Sequence, residues 1–223
     1  GSGKTTMLNI ISAFIPEGER IVTIEDAAEL KLAQEHCVSL EARPENVEGK
    51  GEITIRDLFR NVLRMRPDRI IIGECRGAET MDMLQAMNTG HDGSLTTVHA
   101  SSPKDVVSRL DSMVLMSGVE LPVHAIREMV ASAIHVIIHT SRMSDGSRKV
   151  VSIAELMGLA HEVDMAMQDL FVFRQTGVAP DGTVQGHFTA TGHLPTFFNE
   201  LKVKGLGIEE SVFRAEDAVP NRP

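Results

Sequence analysis

Gly1-Ser2-Gly3-Lys4-Thr5-Thr6 places a glycine turn, an ammonium and two hydroxyls in consecutive positions. A glycine-rich turn running into a helix aims backbone N–H groups and the positive helix end at one point, which suits polyphosphate. In such a loop Gly1, Ser2, Gly3 and Thr6 line the phosphates, Lys4 reaches the β- and γ-phosphates, and the Thr5 hydroxyl ligates Mg²⁺. The usual pattern has an earlier glycine that would fall ahead of residue 1, so the sequence reads as cut inside the motif. A flexible Gly/Ser end ahead of an ordinary helix over residues 5–14 fits the same six residues. The rest of the chain has to decide between the two.

Glu74 follows the apolar run Ile70-Ile71-Ile72 and Gly73, and Glu25-Asp26 follow Ile21-Val22-Thr23-Ile24. Acids at the carboxyl ends of neighbouring parallel strands line the ligand crevice of an open α/β sheet, where they can hold a metal or orient water. Gly73 leaves room for a close backbone approach. Taken singly, each acid also fits a solvated strand end or loop. His91 and His99 bracket the segment Leu95-Thr96-Thr97-Val98. Zinc lacks companion Cys or carboxylate spacing, and a neutral imidazole sensing a γ-phosphate fits the surrounding residues better than zinc does. Two satisfied structural histidines also fit. Arg64, Arg66 and Arg76 flank the acidic strand, where phosphoryl transfer would use positive charge and a solvated face would serve equally well.

These side chains need a scaffold of alternating strands and helices. Strands are expected over residues 20–25, 38–43, 68–74 and 95–99, and helices over 53–64, 79–87, 103–114 and 122–134. Thr54 with Asp57 resembles a helix-start box, and Ile55, Leu58, Phe59, Val62 and Leu63 form its apolar stripe. The fully apolar Ile70–Ile72 run suits a central parallel strand covered on both faces. Strands over 136–140 and 150–153 flank the turn Ser144-Asp145-Gly146-Ser147. The alternation indicates a doubly wound α/β core over residues 1–158. Shorter strands (170–174, 184–188), a helix over 195–203 and a polar tail from Arg214 suggest a small appendage over 159–223.

The bulk properties narrow the class. The 223 residues carry a net charge of −9, which argues against a general grip on nucleic acid, although Arg56, Arg60, Arg64, Arg66 and Arg69 make one local basic cluster. With no Trp and no Tyr, stacking platforms for single strands are nearly absent. No apolar run approaches the ~20 residues of a membrane span. Cys37 and Cys75 match no metal spacing and read as free thiols in a reducing compartment.

Four segments occur in order: the loop at 1–6, Glu25-Asp26, residues 64–80 with Ile70-Ile71-Ile72-Gly73-Glu74-Cys75-Arg76-Gly77, and Asn88 to His99. Together they resemble the Walker A, Asp box, Walker B and His box of the type II/type IV secretion ATPase superfamily. The last two, and Asp169-Leu170-Phe171-Val172-Phe173-Arg174-Gln175-Thr176-Gly177, are most similar to the CpaF branch, which powers tight-adherence (Flp) pilus assembly. The resemblance implies a RecA-like P-loop core with a mostly parallel sheet and a small C-terminal appendage, working on ATP and Mg²⁺. By position it makes Gly1 to Thr6 the nucleotide loop, Thr5 and Glu74 the Mg²⁺ residues, Glu25 the Asp-box acid and His91 and His99 the His-box pair. Arg64 and Arg76 become arginines near the nucleotide, at or across a subunit boundary. It further implies a cytoplasmic homo-hexamer, peripheral at the inner membrane on platform proteins rather than inserted, with no direct nucleic-acid partner. The sequence lacks the family's N-terminal domain and the front of the loop, so activity of the cut chain is doubtful. A nucleotide-binding ring scaffold without significant turnover and a conjugation or DNA-transfer motor are the competing readings.

Overall fold

The structure is a computed structural model that describes residues 1–161 and 164–215. Two compact units make up the chain, one holding residues 4–101 and 105–133, the other residues 1–3, 102–104 and 134 onward.

The first unit is built on four parallel strands, β1 (Ile21–Glu25), β2 (Cys37–Glu41), β3 (Arg69–Cys75) and β4 (Leu95–Val98), in the order β2-β1-β3-β4. All five residues of β1 are buried and β3 is buried through Ile70–Ile72, as continuous apolar runs require when both sheet faces are covered. Pleating then divides the side chains. Ile21 and Ile71 point to one face, where they meet Leu8 and Ile15. Leu8 lies on α1 (Lys4–Ser12), which covers that face. Ile70 and Ile72 belong to the opposite set, with Phe59 and Val62 of α2 (Ile55–Val62) and Met83 and Leu84 of α3 (Glu79–Met87) among the buried side chains of the unit. The Thr54–Asp57 box is present at the start of α2: the Thr54 hydroxyl accepts from the Asp57 N–H at 3.1 Å and an Asp57 carboxylate oxygen accepts from the Thr54 N–H at 3.0 Å. Helices α4 (Pro103–Leu115) and α5 (Val123–Ala133) add Leu110, Met113, Ile126 and Val130 to the core.

The second unit is an antiparallel meander of β5 (Val136–Arg142), β6 (Arg148–His161), β7 (Asp164–Val178) and β8 (Val184–Ala190), ordered as in the sequence. Asp-Gly pairs make two of its turns, with φ of +81° at Gly146 and +86° at Gly182, a region that favours glycine. One Asp145 oxygen accepts from the Ser147 N–H and the other from the Val184 N–H, both at 2.8 Å. The Ser147 side chain first, and then these two N–H bonds, lower the Asp145 carboxyl to about 2. Glu155 is 1% exposed and accepts from the N–H and the hydroxyl of Thr196. A phenylalanine cluster binds α6 (Phe198–Val203) and a final 3₁₀ turn (Glu210–Phe213) to this unit, Phe213 lying 5.5 Å from Phe171 and 5.6 Å from Phe198.

This arrangement moves the break expected after residue 158. Strand β5 and the start of β6, assigned from sequence to the α/β core, belong to the antiparallel sheet, and the units part between Ala133 and Ile134. The Asp145-Gly146 turn gives the reason. Strands joined by a tight turn must run antiparallel, whereas parallel neighbours need a crossover of a dozen or more residues. The region beyond the parallel sheet is therefore a four-stranded sheet rather than a small appendage. Of the expected polar tail, residues 216–223 lie outside the described residues.

Candidate phosphate-binding site

Lys4 is the first residue of α1, directly after Gly3, whose φ of +98° is a conformation that glycine adopts without cost. Its ammonium lies 3.9 Å from a Glu74 carboxylate oxygen and 3.3 Å from His99 Nδ1. An ammonium only donates, so Nδ1 is the acceptor and the ring proton sits on Nε2. Glu25 ends β1, Glu74 is the penultimate residue of β3 and His99 directly follows β4. Three strands of one parallel sheet thus bring Glu25, Glu74 and His99 to its carboxyl edge, beside the N-terminus of α1.

The strand pairing is irregular beside Glu74. Between β3 and β4 the pairing advances from Ile72↔Thr96 to Cys75↔Val98, three residues on β3 against two on β4. That is the signature of a bulge, which bends a strand and re-aims its side chains. Strict alternation would send Glu74 to the same face as Ile72. Gly73 matters here for its missing side chain: a Cβ would lie 2.9 Å from Glu25 Cγ. The crowding partner within the protein is thus the Glu25 side chain.

Glu25 is 4% exposed, and its Oε1 accepts from the N–H groups of Glu29 at 3.1 Å and Leu30 at 3.0 Å. Its carboxylate therefore shapes the loop after β1. The next residue, Asp26, forms an ion pair with Arg76, so the loops after β1 and β3 are tied to each other at this edge. Thr5 is half-buried and Thr6 exposed on the first turn of α1. Gly1 and Ser2 group with the antiparallel unit, where the Gly1 carbonyl accepts from Arg148 Nε at 2.9 Å and the Ser2 and Thr140 hydroxyls lie 3.2 Å apart.

Two expected residues are placed elsewhere. His91 precedes β4, at the end of that strand opposite His99, and its Nδ1 lies 3.3 Å from the Ala86 carbonyl at the end of α3. The two histidines do not meet. Arg64 is exposed in the segment after α2 that leads into the amino end of β3, again opposite Glu74. Sequence reading passed over Thr97 and Arg148, both of which contact the backbone of the site segments; a Thr-Thr pair inside a strand and an arginine after a hairpin are too common to stand out.

No group of three or more His, Cys, Asp or Glu side chains suited to a metal occurs among the described residues. With Glu25 bonded to loop amides and Asp26 paired with Arg76, the donors left beside Lys4 include the Glu74 carboxylate, the Thr5 hydroxyl and the N-terminus of α1. That set fits Mg²⁺, which usually takes one or two protein oxygens and completes its shell with phosphate oxygens and water.

A family model described as "Type II/IV secretion system protein" matches residues 1–183. The chain belongs to this family. Relatives of this secretion-family chain include a putative conjugal transfer protein of Mycobacterium tuberculosis, 46% identical over 156 residues, covering 70% of this chain and 44% of that protein. The type IV secretion system protein PtlH of Bordetella pertussis is 40% identical over 157 residues, 68% of this chain and 46% of PtlH. Among solved structures, the VirB11 ATPase of the Brucella suis type IV secretion system, in complex with sulphate, superposes with a TM-score of 0.61 at 35% identity, covering 69% of this chain and 45% of that one. The DotB ATPase of Legionella pneumophila gives 0.51 at 25% identity, covering 73% and 44%. The chain spans less than half the length of each of these four proteins. No helix among the described residues is long and apolar enough to cross a membrane.

Proposed function

We propose that this chain is the nucleotide-hydrolysing part of a secretion or pilus-assembly ATPase, of the CpaF type that serves tight-adherence pili. The observation that carries the reading is the Lys4 ammonium 3.9 Å from Glu74 at the carboxyl edge of a parallel sheet, in a chain of this family. Glycines, Lys4 and the first amides of α1 bind the triphosphate of ATP. The Thr5 hydroxyl and Glu74 would hold Mg²⁺, which would supply positive charge against the phosphates. Glu74 also orients the attacking water, and His99 fixes the position of the Lys4 ammonium. Arg76, freed from Asp26, can turn its charge to a phosphate, and in this reading Arg64 and His91 serve a neighbouring copy rather than this pocket. Work is then done by a cytoplasmic homo-hexamer docked peripherally on inner-membrane platform proteins.

The test is ATP turnover by the intact protein. Lys4→Ala should abolish it while leaving the melting temperature unchanged, and wild-type turnover in that variant would end the reading. The resemblance to a putative conjugal transfer protein favours a second reading, a DNA-transfer motor. Turnover stimulated by single- or double-stranded DNA would select it, and the charge of −9 predicts no stimulation.

A further inference from the structure

The bulge in β3 leaves Gly73 and Glu74 facing Thr97 alone, so one β3 peptide falls out of the regular ladder. Its carbonyl is not left unpaired. Thr97 is 9% exposed, and its hydroxyl donates to the Gly73 carbonyl at 2.6 Å. The other side of Gly73 is closed by Glu25, whose Cγ would stand 2.9 Å from a Cβ at this position. Glu25 cannot easily yield, because its Oε1 is bonded to two loop amides. The peptide that precedes Glu74 is therefore clamped between a buried hydroxyl and a pinned carboxylate.

We propose that Thr97 is a positioning residue for Glu74, its hydroxyl holding the Gly73 carbonyl so that the bulge turns the Glu74 carboxylate toward Lys4. This rests on the function proposed above. Thr97 itself touches no reacting atom and acts through the β3 backbone. Valine at position 97 keeps the shape and removes the donor, leaving the carbonyl unpaired. Serine keeps the donor and drops a methyl.

The experiment compares wild type, Thr97→Val and Thr97→Ser in the intact protein, measuring kcat, the Kd of a fluorescent ATP analogue and the melting temperature. Thr97→Val should lower kcat about 10- to 100-fold, the scale of a small displacement at a reacting centre. Its Kd should stay within about threefold of wild type, as for an interaction that matters in the transition state rather than in binding. Thr97→Ser should keep kcat within the same ~threefold margin. Wild-type kcat in Thr97→Val would overturn the proposal. So would a serine variant as slow as the valine one, or a loss of kcat matched by an equal loss of binding. Crystal structures of wild type and Thr97→Val give an arm that needs no turnover: Glu74 should leave Lys4 in the variant, and an unmoved carboxylate refutes the role. If the wild-type protein hydrolyses no ATP, the motor reading fails while these structures still decide the role of Thr97.

Discussion

The parallel sheet β2-β1-β3-β4 and the antiparallel sheet β5-β6-β7-β8 contain four strands each, yet the candidate site, Lys4 with Glu74 and His99, lies at an edge of the first. Direction accounts for this. Parallel strands all finish on one side, so Glu25, Glu74 and His99, each at or next to a strand's end, arrive together. Antiparallel strands finish on alternate sides, and their terminal residues scatter. The second sheet does bury an acid, Glu155, but satisfies it locally with Thr196. Topology, more than composition, decides where reactive groups can gather.

The sharpest way to break this contrast is a pair of acids. Glu74→Gln should reduce turnover by ~10²–10³-fold, the scale of losing one group that stabilises transition-state charge, with no change in melting temperature. Glu155→Leu should do the reverse, leaving nucleotide affinity intact while the Thr196 donors lose their partner at a cost of about 1–3 kcal/mol, read by urea titration. A smaller difference separates two glycines. A Cβ on Gly186 would overlap the Arg174 backbone carbonyl, and one on Gly73 would press on the Glu25 side chain. Overpacking of this kind costs about 1–3 kcal/mol, and Gly186→Ala should be the costlier because a backbone yields less than a side chain. Equal denaturation midpoints for the two variants would contradict that ranking.

Acid separates the units more gently. Asp145 has its carboxyl lowered from 3.8 to about 2, so its contribution is complete above 3.8 and disappears as the pH falls toward 2. Amide resonances of Ser147 and Val184 should shift over that interval. Asp57, lowered by the Thr54 hydroxyl and then its N–H, likewise holds α2 until the pH falls below the ordinary carboxylate value. Thr54→Ala should cost ~1 kcal/mol by thermal melting. The smallest effect concerns the thiols. Cys75 is 1% exposed and burial pushes it up to about 12, whereas Cys37 is half-buried. A thiol reagent at about neutral pH should label Cys37 first, since the thiolate is the reactive form.

Much of the parallel unit was legible because its signals are local. Unbroken apolar runs gave β1 and β3, the Thr54–Asp57 pair gave the start of α2, and the glycine turn with the acid near the end of an apolar strand gave Lys4 and Glu74 as neighbours. Less legible was anything set by pairing. Nothing in Ile72-Gly73-Glu74-Cys75 announces a bulge, which exists only in register with β4. His91 and His99 look equivalent in sequence, and only the direction of β4 separates them. The meander was under-read for the same reason: β6 and β7 run to 14 and 15 residues, against expected strands over only 150–153 and 170–174. The Asp181-Gly182 turn did carry a hairpin signal of the Asp145-Gly146 kind.

The phenylalanine cluster has an optical consequence. Phe213 packs on Phe171 and Phe198, and the sequence contains neither tryptophan nor tyrosine. A Phe213→Trp substitution would make this chain's sole indole report from that contact. Its emission would redden when the 3₁₀ turn leaves the aromatic nest, so detachment of the terminal segment could be followed without any dye.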